Sequence, residues 1–237
     1  MRLDKMLSDM KIASRKEIGK LAKKGVITVN GEVVTKPATH IDENTDEVRI
    51  YDEIIEYRKY LYFVMNKRKG VISHTTDPKY KTVIDDMGEF AVFNLFPVGR
   101  LDLDTTGLLV ITNDGKLSHA LTSPKNKVEK TYLVELRDPI EEDRYRKVFE
   151  KGIRFEAEDF TTKPAKLQVI DESSCYLTIY EGKFHQVKRM FHHVGNEVLE
   201  LKRVSLGKLD LPDDLEEGDF REMTDEELDL LKTSCEN

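Results

Sequence analysis

The sequence predicts an α+β protein of two domains: a small helix–helix–hairpin unit and a larger domain with a mixed or antiparallel sheet. The chain has 237 residues, which exceeds one ordinary domain of ~100–200 residues. Residues 1–34 show two amphipathic helical patterns and then an Asn-Gly hairpin signal. From Tyr60 onward, strand-like runs and helices alternate irregularly, which is typical of an α+β domain. We place the domains at 1–59, with a linker near residues 50–59, and at 60–237.

The small unit is predicted from local signals. Its first helix carries an apolar stripe at i, i+3, i+4 and i+7, formed by Leu3, Met6, Leu7 and Met10. Ser14 and Glu17 form a capping box for the second helix, which Gly25 ends. Asn30-Gly31 between residues 26–29 and 32–34 indicates a hairpin with a type I′ turn.

The charge is unevenly distributed along the chain. The net charge is −7, but residues 1–37, here called the basic head, hold nine basic and four acidic residues. Residues 210–237, the acidic tail, hold twelve acidic and two basic residues. The cations predicted to contact phosphates are Arg15, Lys16, Lys20, Lys23 and Lys24. From charge alone, a merely solvated helix surface explains them equally well.

Several classes of protein are not expected. The apolar runs are far shorter than the ~18–20 residues of a membrane span. Arg2, Asp4 and Lys5 stand where a secretory signal would begin, so we expect a cytosolic protein. Cys175 and Cys235 lack CxxC spacing, which argues against a disulfide scaffold or a zinc site.

The larger domain is read from its periodicity. Strands are predicted at residues 61–65, 131–136, 166–170, 175–180 and 198–201, and helices at 140–151 and 186–194. The helices are closed by Gly152 and Gly195. No glycine-rich phosphate loop is found, so no nucleotide cofactor is expected.

One loop gathers polar groups that could do chemistry. In FPVGRLDLDTTGLLVITNDG, residues 96–115, a buried strand is predicted at 108–112 and a short helix at 116–121. The loop from Gly99 to Gly107 holds Arg100, Asp102 and Asp104. The structural interpretation is that Asp104 and the threonines bond the turn backbone while Arg100 pairs with an acid. The residues alone favour this interpretation over a catalytic one.

The N-terminal stretch RLDKMLSDMKIASRKEIGKLAKKGVITVNGEVV resembles the S4-type RNA-binding module. It has the same helix, helix, hairpin order and an SR motif, Ser14-Arg15, that opens the second helix. The resemblance covers residues 1 to about 48 and implies an RNA partner.

GRLDLDTTGLLVITNDG resembles the signature loop of pseudouridine synthases. The segments KTYLVEL, TKPAKLQV and EGKFHQVKRMFHHVGNEVLELKRVSLGKLDL match in order, and the branch is that of the ribosomal small-subunit type A enzymes. The resemblance implies isomerisation of one uridine in ribosomal RNA, 16S rather than 23S, without a cofactor. A monomer acting on naked RNA or on a ribosomal assembly particle is expected.

The resemblance also implies roles for three residues. Asp102 is the carboxylate beside C1′ of the target ribose, and Tyr132 stacks on the extruded base and takes the C5 proton. Lys188 is the basic residue of the HQ-x-[KR] pattern. A cation beside Asp102 would favour the ionised carboxylate and fix its orientation. Asp104 is assigned to the turn.

The remaining predicted site residues contact RNA. They are Arg15, Lys16, Lys20 and Lys24 in the basic head, and Arg100, His185, Gln186 and Arg189 near the reacting groups. No metal site is predicted, since the adjacent His192 and His193 would point about 100° apart on a helix. Two other functions stay open: a non-catalytic RNA-binding assembly factor, and a nucleoside hydrolase that uses Asp102 with Asp104.

Overall fold

The computed structural model describes residues 1–235, without the side chain of Ala157. Glu236 and Asn237, which end the acidic tail, lie outside the described residues. The chain divides into two compact units. The small unit contains Met1–Leu61 and Glu89–Asn94, and the large unit contains Tyr62–Gly88 and the chain from Leu95 onward.

The small unit contains two helices and a four-stranded antiparallel sheet of order β2-β1-β3-β4. Its elements are α1 (Leu3–Asp9), α2 (Arg15–Lys23), β1 (Ile27–Val29), β2 (Glu32–Val33), β3 (Val48–Ile50) and β4 (Glu53–Ile54). The core is formed by the apolar faces of both helices against β1 and β3, with Leu3, Leu7, Ile18, Ala22 and Ile27 fully buried.

The local signals of the small unit are confirmed. Ser14 N donates to Glu17 Oε2 at 2.9 Å and Glu17 N donates to Ser14 Oγ at 3.4 Å, which completes the capping box of α2. Asn30 (φ 52°) and Gly31 (φ 82°) both have positive φ, as a type I′ turn requires.

A second hairpin lies where the linker was predicted to begin. Tyr51 and Asp52 turn the chain between β3 and β4, with the register Arg49↔Ile54 and Ile50↔Glu53. β4 is an exposed edge strand. Because such a strand has no apolar face to bury, its polar, charge-alternating sequence carried no strand signal.

The large unit is built on a nine-stranded sheet. Its strands are β5 (Tyr62–Lys67), β6 (Phe96–Pro97), β7 (Thr106–Thr112), β8 (Lys130–Leu136), β11 (Lys166–Val169), β12 (Ser174–Ile179), β13 (Val198–Leu206), β14 (Leu209–Asp210) and β15 (Phe220–Glu222), while β9 (Arg154–Phe155) and β10 (Phe160–Thr161) form a separate hairpin. The helices are α3 (Gly115–Thr122), α4 (Glu142–Lys151), α5 (Gln186–His193) and α6 (Asp225–Thr233), with 3-10 turns in Asp85–Phe93 and Glu156–Glu158.

The sheet is mixed, as predicted. Its order is β11-β12-β8-β13-β7-β5-β15, with β14 on β13 and β6 on β7. The neighbours β13 and β7 run parallel, and the other pairs run antiparallel. Every residue of β7 is buried, which explains its continuous apolar run.

The acidic tail is folded further than its charge suggested. β15 extends the sheet along β5, and α6 begins at a capping box formed by Thr224 and Glu227. Arg221 donates to Glu227 and to Asp214, so part of the tail's negative charge is paired within the tail. No helix among residues 1–235 is long and apolar enough to cross a bilayer.

Candidate active site

A cavity of about 480 Å³ opens in the large unit. It is lined by the loop before β7, by β8, by the turn before α5 and by β13, and these segments contribute Asp102, Tyr132, His185 and Arg203. Its volume falls in the range of small-ligand sites, ~300–1,000 Å³.

The parallel pair of strands explains why these segments meet. β13 and β7 pair through Lys202↔Thr106 and Arg203↔Gly107. Parallel strands begin at the same edge of a sheet. The loop that precedes β7 and helix α5, which precedes β13, therefore lie close together. β8 flanks β13 on its other side and places Tyr132 opposite Arg203.

Gly107 is required at the start of this pair. Its φ is +100°, and a Cβ there would lie 2.2 Å from the carbonyl oxygen of Arg203. Any side chain would push β13 away from β7 or strain the backbone. The loop from Gly99 to Gly107 therefore joins the sheet at a position that only glycine fits.

Asp102 faces two basic side chains. Its Oδ2 lies 3.5 Å from Lys188 Nζ, and its Oδ1 lies 3.7 Å from His185 Nε2. The Asp102 side chain is 28% exposed, so a ligand in the cavity can reach it. The structure thus places Lys188 beside Asp102, and adds His185, which the sequence assigned to RNA contact alone.

Lys188 also contacts the second aspartate of the loop. Its Nζ lies 2.5 Å from Asp104 Oδ1, closer than to Asp102. Partial burial raises the pKa of Asp104, but the hydrogen bond from Lys188, the charge of Lys188 and smaller contributions together outweigh it, so the pKa lies below its usual range. Asp104 is 68% exposed, which suits a residue that positions Lys188 better than one that contacts a buried substrate.

The backbone of the loop is held from outside, by residues that the sequence reasoning missed. Lys67, fully buried at the end of β5, donates from Nζ to the carbonyls of Asp102 at 2.9 Å, Thr105 at 2.8 Å and Arg68 at 3.1 Å. Burial lowers the pKa of Lys67 to about 8. Three acceptors match the three N–H groups of an ammonium.

Ser73 provides a second brace for the loop. Its Oγ donates to the carbonyl of Leu101 at 3.0 Å and accepts from Leu101 N at 3.0 Å. The interpretation that the loop's own threonines satisfy the turn does not hold for Thr105, whose Oγ1 is buried without a hydrogen-bond partner among the described residues. One signal could have found Lys67: a lysine that ends an apolar strand needs buried acceptors.

Tyr132 lies on the buried face of β8. It shares this face with Val134 and Leu136, as the alternation predicted, and it lines the cavity beside Asp102. Lys130, two residues earlier, lines the same cavity. Burial, and after it the positive charge of Arg203, lower the pKa of Lys130 to about 8.

The turn before α5 presents an aromatic side chain to solvent. Phe184 is 70% exposed, and its ring stacks on that of His185 at 3.8 Å. Gln186 is buried in the turn, where its Nε2 donates to Glu181 Oε1 at 2.6 Å and its Oε1 accepts from Lys183 N at 3.1 Å. The side chain of Gln186 therefore shapes the turn, and its direct contact with RNA stays a prediction.

The other predicted RNA-contacting residues occupy two settings. Arg100 is exposed and lines the cavity. Arg189 pairs with Glu158 at 2.7 Å and lies 4.0 Å over the ring of Phe155, so contact with a phosphate would require it to exchange partners. In the small unit, the exposed cations of α2 and its C-cap are Arg15, Lys16, Lys20, Lys23 and Lys24.

Comparison with known proteins gives the family. The RNA pseudouridylate synthase family matches residues 61–193, and the S4 domain matches residues 1–46. The chain is 44% identical over 236 residues to a Bacillus subtilis protein described as an uncharacterised RNA pseudouridine synthase, YtzG, covering 98% of each chain. The chain belongs to the RNA pseudouridine synthase family.

Two further comparisons agree with this. The pseudouridine synthase is 40% identical over 228 residues to ribosomal small subunit pseudouridine synthase A of Escherichia coli K12, covering 96% of this chain and 98% of the relative. A crystal structure of a pseudouridylate synthase superposes with a TM-score of 0.69 at 39% identity, covering 98% and 99% of the two chains. The protein is an RNA-modifying isomerase with an N-terminal S4 domain.

Proposed function

We propose that this pseudouridine synthase isomerises one specific uridine of 16S ribosomal RNA. The support for the small-subunit RNA is the name of the relatives, ribosomal small subunit pseudouridine synthase A. The observation that carries the chemistry is that Asp102 and Tyr132 line one cavity while Lys188 lies 3.5 Å from Asp102, although the three residues come from separate segments.

The reaction requires a carboxylate beside C1′ of the target ribose. The target uridine is extruded into the cavity, and breaking its C1′–N1 bond leaves C1′ short of electrons. Asp102 attacks or stabilises C1′, while Lys188, 3.5 Å away, orients the carboxylate. The base then rejoins C1′ through C5, and Tyr132 stacks on it and takes the C5 proton.

Recognition and chemistry are assigned to different parts of the chain. Residues 1–59 bind RNA through Arg15, Lys16, Lys20 and Lys24, and residues 60–237 carry the reaction. Arg100 and His185, which both line the cavity, contact RNA around the extruded nucleotide. The enzyme acts as a cytosolic monomer without a cofactor.

The test uses RNA with tritium at C5 of uridine, because joining C5 to C1′ releases this hydrogen to water. We expect release from 16S transcripts or small-subunit particles, none from 23S transcripts, and loss of one 16S pseudouridine in cells that lack the protein. Asp102→Asn should abolish release and leave RNA affinity unchanged, since the side chain is small and partly exposed.

Two results would contradict the proposed function. Release from 23S RNA alone would move the target to the large subunit. RNA binding without release from any ribosomal RNA or particle would make the protein a non-catalytic assembly factor.

A further inference from the structure

The base of the cavity holds a buried arginine that the reaction scheme does not use. Arg203 lines the cavity and is 2% exposed. Its Nε donates to the carbonyl of Leu108 at 2.7 Å, which fixes the guanidinium against β7. Its Nη2 is buried and has no hydrogen-bond partner within the part of the chain that the structure describes. An unmatched donor on a buried cation is costly, so a ligand that supplies an acceptor is favoured there.

A second cation lies beside it. Lys130 shares a face of β8 with Tyr132, and Tyr132 pairs with Arg203 across the strands. Lys130 Nζ donates to the carbonyl of Val128 at 3.0 Å, and Lys130 also lines the cavity. Burial and then repulsion by Arg203 lower the pKa of Lys130 to about 8, whereas Glu181 acts in the opposite direction. We call Arg203 and Lys130 the cationic floor.

The cationic floor differs from Lys188 in what it can neutralise. Lys188 lies between the carboxylates of Asp102 and Asp104, so its charge is already balanced. The hydrogen bond that the Arg203 side chain donates goes to the neutral carbonyl of Leu108, so it does not balance the positive charge of Arg203. The cationic floor therefore attracts a negative charge that forms in the cavity.

Uracil develops such a charge during the reaction. When C1′–N1 breaks, the electron pair stays with the base and spreads over N1, O2 and O4. C1′ is then held by the Asp102 carboxylate until C5 donates a pair to C1′, the C5 proton leaves to a base, and N1 takes up a proton. Donors fixed where charge develops, away from water, typically contribute ~10²–10³ in rate each.

We propose that Arg203 and Lys130 donate to the carbonyl oxygens of the extruded uracil and stabilise the anion formed when its glycosidic bond breaks. This role rests on the proposed function. It also gives the site a preference for uracil, because cytosine presents an amino group in place of O4 and would direct a donor towards one of the cations.

The experiment compares Arg203→Met, Arg203→Lys and Lys130→Met with the wild type. Lys202→Met is the matched control, because Lys202 precedes Arg203 on β13, points to the other face and is absent from the cavity lining. Single-turnover tritium release at saturating 16S RNA is measured beside the Kd for the same RNA and the thermal unfolding of each variant.

We expect Arg203→Met and Lys130→Met to lose roughly 100-fold or more in rate, with the Kd changed by less than about threefold because the floor contacts one base of a large polyanion. Arg203→Lys should recover part of the rate, and Lys202→Met should match the wild type. If Arg203→Met does not fold, Lys130→Met and Arg203→Lys decide the matter.

Two failures are distinguishable. Normal rates in folded Lys130→Met and in the Arg203 variants would overturn the role of the floor and leave the proposed function intact. No release by the wild type from any ribosomal RNA would overturn the proposed function, and the role of the floor with it.

Discussion

Replacing Lys67 by methionine should impair catalysis more than it impairs folding. The Lys67 ammonium holds the carbonyls of Asp102, Thr105 and Arg68 at 2.9, 2.8 and 3.1 Å. Methionine is similar in length and apolar, so Lys67→Met removes the donors without opening a large cavity.

The loss of stability in Lys67→Met can be worked out from these contacts. The Asp102 carbonyl keeps Thr105 N as a donor at 3.1 Å, which leaves the carbonyls of Thr105 and Arg68 as the main losses. Each buried unpaired carbonyl costs roughly 1–3 kcal/mol. Removing a buried ammonium recovers part of its desolvation cost, so the free energy of unfolding should fall by a net of about 1–3 kcal/mol. A shift of ~1 Å in Asp102 would cost roughly 100-fold in rate.

Urea denaturation and single-turnover tritium release measure the two effects separately. Lys69→Met is the control, because Lys69 is exposed and its ammonium pairs with Glu200 at the surface, where ion pairs contribute at most about 1 kcal/mol. A Lys67→Met protein that reacts at the wild-type rate would refute the idea that this lysine positions the loop.

The remaining predictions concern the loop, the sheet, the pH and the basic head. Asp102→Asn should abolish tritium release while Asp104→Asn retains most of it, since Asp104 is 68% exposed; equal rates in the two variants would contradict this. Gly107→Ala should lower the free energy of unfolding by about 3 kcal/mol or more, because its Cβ would lie 2.2 Å from the Arg203 carbonyl oxygen; an unchanged urea midpoint would argue against that close approach. The pKa values of Lys67 and Lys130 lie near 8, below their ordinary 10.5. Between pH 8 and pH 10.5 the unfolded chain therefore binds more protons than the folded chain, so the free energy of unfolding should rise with pH. The rate should fall over the same range because the two donors lose protons, and a rate that stays constant to pH 10 would exclude both as charged groups in the reaction. Charge reversal in the basic head should weaken RNA binding and flatten its salt dependence by roughly 0.7 per lost phosphate contact on single strands, as titrations at several salt concentrations would show.

Local signals predicted most of the elements. The Ser14–Glu17 capping box and the Asn30-Gly31 turn depend on neighbouring residues, so the sequence shows them directly. The hairpin of β3 and β4 was missed because an exposed edge strand has no apolar periodicity. The acidic tail was interpreted by its charge, although Thr224 and Glu227 form a second capping box there.

The site was predicted less completely than the elements. The resemblance pointed to Asp102, Tyr132 and Lys188, and the structure brings all three to one region. The position of Lys67 at the end of an apolar strand indicates that it needs buried acceptors, but these acceptors are backbone carbonyls up to 38 residues away, and no local pattern identifies them. Arg203 Nη2 is buried without an acceptor among the described residues because of the register of β13 with β7 and β8, and periodicity alone does not determine that register.

The position of β13 also determines at what stage of synthesis the active site can form. This strand lies between β8 and β7 in the sheet, yet it is synthesised after both. Before Val198–Leu206 is made, β7 and β8 have no shared neighbour, and the loop with Asp102 is not aligned with Tyr132. A nascent chain or proteolytic fragment that stops short of β13 would hold Asp102, Tyr132 and Lys188 and is still expected to be inactive, because the strand that aligns them is missing.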